Sequence, residues 1–117
     1  MITREQAEHF AREWIDAWNS HDLGRILSHY SEDFSMSSPR IVQIADEPSG
    51  TLQGKDAVGA YWGKALKLLP NLHFELQDIL VGTDSVTLYY HGTSGMAAEV
   101  FFFNERHQVC RAYAHYA

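Results

Sequence analysis

The second half of this chain repeats one pattern, in which short strand-like segments are separated by turns. Apolar and polar side chains alternate along much of each segment, as is typical of β-strands, whose successive side chains point to opposite faces of a sheet. Turns as short as these favour antiparallel neighbours. The sequence therefore predicts a four-stranded meander with a bulge near residues 78–79, where the alternation slips. The four segments are residues 72–77, 86–90, 95–103 and 109–116.

The start of the chain predicts a helix hairpin instead. Thr3 followed by Gln6 is a capping box, and Asp22 can cap a second, shorter helix. Apolar residues fall on one face of the first helix: Ala7, Phe10, Ala11, Trp14, Ala17 and Trp18. In the second helix the residues at helical spacing are Leu23, Ile26, Leu27 and Tyr30.

A third helix is predicted between Gly54 and Pro70, because apolar residues form a stripe along it and proline ends it. Gly59 and Gly63 lie four residues apart on this helix and would let a neighbouring backbone approach closely. The stripe consists of Val58, Tyr61, Trp62, Ala65, Leu66 and Leu69.

The segment between the second and third helices predicts extended structure. Residues 33–38 alternate like a strand, and Pro39 interrupts them. Residues 40–44 predict either a second short strand or an extended flap, and residues 46–50 a turn. The stretch from residue 40 to residue 51 is long and contains proline and glycine, so we expect it to form the rim or lid of any pocket.

Composition limits the class of protein. The chain of 117 residues suits one domain spanning residues 1–117. Its net charge is −6 and its nine basic residues are scattered, which argues against nucleic-acid binding. Cys110 is the single cysteine and is expected to be a small core residue in a reducing compartment. Charges throughout the first twenty residues, and apolar runs too short to cross a bilayer, predict a cytoplasmic protein.

Glu99 is the one charged residue between Gly95 and Phe103. Burying a carboxylate costs free energy unless it is paired, hydrogen-bonded or protonated. We therefore interpret Glu99 as part of a ligand pocket. Two other interpretations remain open: an edge position where the carboxylate reaches water, or an ion pair with Arg111 on the next strand.

The strand that carries Glu99 is apolar on both faces. Ala98, Val100 and Phe102 point one way, while Ala97 and Phe101 point the other way with Glu99. A strand of this kind must be covered on both sides. Helices can cover one face, and the other face predicts a homodimer.

A helix hairpin, a strand before a proline, the helix G-K-D-A-V-x-A-Y-W at residues 54–62 and a final meander together resemble the nuclear transport factor 2-like superfamily, and especially its SnoaL-like branch. The resemblance covers essentially the whole chain. It implies an α+β fold: a cone-shaped barrel made from a curved, mostly antiparallel mixed sheet, with three helices from the N-terminal half over its concave face. It also implies a ligand cavity at the open end and a homodimer formed through the convex face. Relatives include ketosteroid isomerases, polyketide cyclases and epoxide hydrolases, as well as proteins that only bind or scaffold.

Ketosteroid isomerases allow a comparison residue by residue. The resemblance puts Trp14 where those enzymes have a tyrosine, Ser38 where they have an aspartate base before a proline, and Glu99 where they have a protonated aspartate. Only Glu99 keeps the chemistry, because a neutral serine cannot act as a base. Steroid isomerisation by that route is therefore not expected.

We predict that Glu99 is catalytic and that His115 can form an acid–base pair with it if the last two strands pair; strand parity leaves the direction of His115 open. No cofactor and no metal are expected, because the chain has neither a phosphate loop nor an HExxH motif. The predicted pocket wall consists of Trp14, Trp18, Tyr30, Phe34, Met36, Ser38, Tyr61, Trp62, Phe101 and Tyr116.

The functional prediction is a pocket for a small hydrophobic molecule, with acid–base chemistry of the isomerase, cyclase or hydrolase kind centred on one carboxylate. The missing base at Ser38 keeps a second hypothesis open, a binding module without chemistry. A third is a dimeric interaction domain whose own aromatic side chains fill the cavity.

Overall fold

The computed structural model describes residues 1–117 and contains four helices and six strands. No helix has the combination of length and hydropathy that a bilayer-spanning segment requires. The helices are α1 Arg4–Asn19, α2 Leu23–Leu27, α3 Pro39–Ile44 and α4 Lys55–Leu68. The strands are β1 Tyr30–Ser37, β2 Thr51–Gln53, β3 Glu75–Val81, β4 Ser85–Gly92, β5 Gly95–Phe103 and β6 Val109–Tyr116.

The six strands form one curved mixed sheet in the order β2-β1-β6-β5-β4-β3. Strands β3 to β6 are the predicted antiparallel meander, and the register shift between Leu76 and Asp78 is the predicted bulge. Strand β1 pairs parallel to β6 and antiparallel to β2. The α+β class and the N-terminal position of the helices are confirmed. The edge strands β2 and β3 do not pair with each other, so the sheet is not a closed barrel.

The helix signals near the N-terminus are confirmed. Thr3 and Gln6 form the capping box, and the Asp22 side chain accepts a hydrogen bond from the Arg25 backbone N–H at the start of α2. The predicted apolar face of α1 is buried. Tyr30 was expected at the end of α2, but it is the first residue of β1, because that helix ends at Leu27 and the chain turns at once.

Residues 39–44 form helix α3, so the predicted strand or flap is wrong. The Ser38 side chain caps this helix by accepting a hydrogen bond from the Arg40 backbone N–H, and Pro39 occupies the first helical turn. The helix has only six residues, too few for a hydrophobic period to be recognised. The expected third helix is therefore the fourth. Its predicted stripe is buried at Val58, Tyr61, Trp62 and Ala65.

Helix α2 packs against α4 where α4 carries glycines. A methyl group on Gly59 would lie 3.2 Å from Leu27 Cδ1, and one on Gly63 would lie 3.5 Å from Leu23 Cδ2. Close approach at these glycines is confirmed, but the partners are leucine side chains of α2 and not a backbone. The helices thus stack in a layer over the concave face of the sheet, and the core lies between them.

Candidate functional site

Glu99 lies in the middle of β5 and points into the concave side of the sheet. Its neighbours across the two ladders are Leu88 on β4 and Ala114 on β6. The residue is 4% exposed. The Tyr90 hydroxyl donates a hydrogen bond to Glu99 Oε1 over 3.1 Å, and no cation lies within 4.0 Å of the carboxyl group. The alternative ion pair does not form, since the Arg111 guanidinium stacks on the Phe102 ring.

Burial raises the pKa of Glu99 to about 7, and the hydrogen bond from Tyr90 opposes this rise only in part. The carboxyl group therefore holds its proton to a much higher pH than an exposed glutamate does. Burial, and secondarily the charge of Glu99, raises the pKa of Tyr90 and of Tyr116, so these hydroxyls stay protonated as donors. A neutral carboxyl beside protonated hydroxyls can give a proton and take it back.

Glu99 lines a cavity of about 50 Å³ enclosed by the helices and the sheet. Half of the lining residues are aromatic, and the side chains that can titrate or carry charge are Glu99, Arg40 and three tyrosines. The volume is below the roughly 300 Å³ of an ordinary ligand pocket, so an occupant must be small unless α3 moves outward. The lining residues are Trp14, Trp18, Met36, Arg40, Ile44, Tyr61, Trp62, Ala65, Leu69, Leu72, Phe74, Tyr90, Glu99 and Tyr116.

Six of the ten predicted wall residues lie on this cavity: Trp14, Trp18, Met36, Tyr61, Trp62 and Tyr116. The other four do not line it. Tyr30, Phe34 and Phe101 are fully buried in the core. Ser38 caps α3, and its hydroxyl lies 3.3 Å from the Tyr116 hydroxyl.

The structure does not bring His115 to Glu99, so the predicted acid–base pair is wrong. His115 pairs with Ala98, and its side chain is exposed on the convex face. Because side chains alternate along β6, Ala114 and Tyr116 point inward and His115 outward. The structure also contains no cluster of three or more metal-ligating side chains.

A family model described as a SnoaL-like domain matches residues 11–116. The chain belongs to the SnoaL-like family. A comparison with curated proteins finds no match.

Solved structures support the same placement of this SnoaL-like chain. A SnoaL-like protein of unknown function from Burkholderia thailandensis is 58% identical, with 99% of this chain and 98% of that chain covered and a TM-score of 0.96. A protein with a cystatin-like fold from Methylobium petroleophilum is 16% identical, covers 99% and 78%, and has a TM-score of 0.77. An NTF2-like protein from Cytophaga hutchinsonii is 13% identical, covers 100% and 92%, and has a TM-score of 0.69. The last two show the fold alone.

One buried donor on a residue of the cavity wall has no partner in the protein. The Trp18 side chain lines the cavity, and no protein atom accepts a hydrogen bond from its Nε1–H. An unsatisfied buried donor costs about 1–3 kcal/mol. By contrast, Trp14 Nε1 donates to the Tyr30 hydroxyl over 3.0 Å, so Trp14 is satisfied inside the core.

Tyr90 and Arg40 are the polar site residues that the sequence interpretation missed. The two-residue turn Thr93-Ser94 between β4 and β5 fixes the register, which places Tyr90 opposite Ala97 on the inward face with Glu99. The pair Ser38-Pro39 is a helix-start signal and could have revealed α3, and with it Arg40.

A larger surface groove of about 690 Å³ runs along α1 and includes His9, His29 and His107. It is shallow and contains no buried carboxyl group. Burial lowers the pKa of His29, which favours its neutral form. We place the candidate site at Glu99, where a titratable group is enclosed by a cavity.

Proposed function

We propose that this SnoaL-like protein binds a small, largely apolar molecule in the Glu99 cavity and that Glu99 exchanges a proton with it. The observation that carries the proposal is a buried carboxyl group with no cation within 4.0 Å, in a cavity lined largely by apolar and aromatic residues. A fold that needed only stability would gain from an apolar residue at this position.

The kind of chemistry follows from the groups on the wall. No histidine, aspartate or second glutamate lines the cavity, so Glu99 would have to act as both acid and base. A single carboxyl group can take a proton from one atom of a ligand and return it to another. This favours proton relocation, as in an isomerisation or a ring closure, over hydrolysis, which also needs an activated water.

The direct test is a pH titration of Glu99 by NMR, using protein labelled with ¹³C at glutamate side-chain carboxyls. One carboxyl resonance should titrate near pH 7 and disappear in Glu99→Gln, because burial raises this pKa. A Glu99 resonance that titrates near pH 4 would remove the basis for proton exchange. Native mass spectrometry of the protein as purified then reveals any retained ligand.

One observation favours a second function, a dimeric interaction module without chemistry. The cavity is small because aromatic side chains already fill most of the space. The stacked Trp14 and Phe74 rings have centroids 5.5 Å apart, and the Tyr30 and Phe34 centroids are 4.4 Å apart. Cavity resonances that respond to no small molecule would favour this second function.

With either function, we expect the protein to form a homodimer through the convex face of the sheet. Tyr89 and Tyr113 are 44% and 37% exposed there, and both lie beside half-buried apolar residues such as Val100. We expect light scattering to give the mass of a dimer at micromolar concentration, and the double variant Tyr89→Lys/Tyr113→Lys to give that of a monomer. Leu68→Lys, at an exposed site on α4, is the matched control and should remain dimeric. A monomeric wild type would contradict the proposal.

A further inference from the structure

Arg40 bridges two elements at the edge of the cavity. It lies in the first turn of α3, and its guanidinium donates hydrogen bonds to Thr93 Oγ1 and Ser94 Oγ in the β4–β5 turn. The guanidinium carbon lies 4.1 Å from the centroid of the Tyr116 ring. Among the residues that line the cavity, Arg40 is the only cation.

Arg40 has no acidic partner, although the chain has 15 acidic and nine basic residues. None of the ion pairs in the structure includes it, whereas Arg25 pairs with both Glu13 and Asp16. Arg40 is also half-buried, so part of its hydration is lost. Its protein partners are two neutral hydroxyls and a ring face, and most of its N–H donors therefore remain free for an anion.

A guanidinium with free N–H donors matches one class of anion best. Its planar fork donates two parallel hydrogen bonds to the two oxygens of a carboxylate, and such charge-assisted pairs are among the strongest hydrogen bonds in proteins. Apart from Glu99, the rest of the cavity wall is apolar and aromatic. The wall thus offers one cationic end, and a largely apolar interior in which Glu99 is the one carboxyl group.

We infer that the molecule bound in this cavity carries a carboxylate, which Arg40 binds, and that its uncharged apolar part lies against the aromatic wall. The inference rests on the proposed function, since it names the class of ligand for the same cavity. It assigns to Arg40 the role of a specificity-determining residue for small apolar carboxylic acids.

The same geometry makes binding depend on pH. The groups that face Glu99 are Arg40 from α3, Tyr61 from α4, Tyr30 from β1, Tyr90 from β4 and Tyr116 from β6. Burial raises the pKa of each of these tyrosines, so Glu99 is the group that changes charge near neutral pH. Ionised Glu99 repels a bound carboxylate, and the affinity should therefore fall as the pH rises through about 7.

The experiment uses pairs of probes with the same shape and different charge, acetate with acetamide and benzoate with benzamide. Backbone NMR spectra of the full chain report which residues respond and give the dissociation constant of each probe at pH 6. We expect carboxylates to bind about tenfold or more tightly than their amides, with shifts around Tyr90 and Tyr116. In Glu99→Gln the carboxylate affinity should no longer depend on pH between 6 and 8.

Arg40→Met should bring each carboxylate to within about twofold of its amide. Arg40→Lys keeps the charge without the fork and should give an intermediate preference. Arg111→Met is the matched control: that guanidinium also stacks on a ring, 4.4 Å from the Phe102 centroid, but on the other face of the sheet. This control should leave both affinities unchanged, and circular dichroism confirms that each variant is folded.

The outcomes separate this inference from the proposed function. Equal binding of carboxylates and amides in the cavity would overturn the inference and leave the proposed cavity standing. A carboxylate preference that persists in Arg40→Met would also overturn it, because the anion would then bind elsewhere. If no probe shifts cavity resonances, the inference and the proposed function both fail.

Discussion

Glu99→Gln is expected to stabilise the folded protein by about 3 kcal/mol at pH 8 and to leave its stability almost unchanged at pH 4. Burial raises the pKa of Glu99 from its ordinary 4.5 to about 7, so the folded state binds this proton more tightly than the unfolded state does. The contribution of Glu99 is therefore fully present below about pH 4.5 and is lost as the pH rises through about 7. Glutamine cannot ionise, and its carbonyl oxygen can still accept the hydrogen bond from Tyr90.

Urea denaturation of wild type and variant at pH 4, 6 and 8 measures this difference, at one fixed protein concentration because dimerisation would change apparent stability. Glu75→Gln is the matched control, since Glu75 is exposed at the start of β3. That variant should stay within about 0.5 kcal/mol of wild type at every pH. A gain from Glu99→Gln that is the same at pH 4 and pH 8 would show that Glu99 titrates normally.

The burial of Glu99 could be predicted from the sequence because the residue lies alone in an apolar strand within a meander. Local signals predicted where helices begin and where strands turn. They are the capping box at Thr3, the Asp22 cap and the short turns between strands. These features depend on a few neighbouring residues, and a single sequence contains them. The inward direction of Glu99 then follows from covering one face of the sheet with amphipathic helices.

The direction of His115 could not be predicted, because β6 has alanines on one face and mixed residues on the other, so neither parity is favoured. Helix α3 was misinterpreted because six residues show no period. Arg40 was missed with it, since its cavity position depends on where that helix starts. Such features are set by tertiary pairing, which local patterns do not specify.

The volume of the cavity also could not be predicted from sequence patterns. It results from how large rings pack around small inward residues, and Ala97 and Ala114 are the small neighbours of Glu99 on β5 and β6. Alanines beside the carboxyl group leave space over it, while Trp14, Tyr90 and Phe74 close that space from the other side. Packing of this kind determines whether the cavity has room for a ligand or is filled by the side chains of the protein itself.

Trp14→Ala is expected to cost about 3–5 kcal/mol, a large share of the roughly 5–15 kcal/mol that holds a domain of this size folded. Trp14 is 1% exposed, and its ring centroid lies between 5.2 and 5.5 Å from those of Phe74, Tyr90 and Phe101. Removing the indole leaves a void among rigid rings and takes the donor away from the Tyr30 hydroxyl. The urea concentration at the midpoint of unfolding should fall in proportion to this loss of unfolding free energy.

A double-mutant cycle separates the lost hydrogen bond from the lost packing. Trp14→Phe keeps a ring but cannot donate to Tyr30, so it leaves a buried hydroxyl unsatisfied at a cost of about 1–3 kcal/mol. In a Tyr30→Phe background the same change should cost less, because no hydroxyl remains to be orphaned. Equal costs in the two backgrounds would mean that the 3.0 Å contact contributes no stability, and that Trp14 supports the Glu99 cavity through its ring alone.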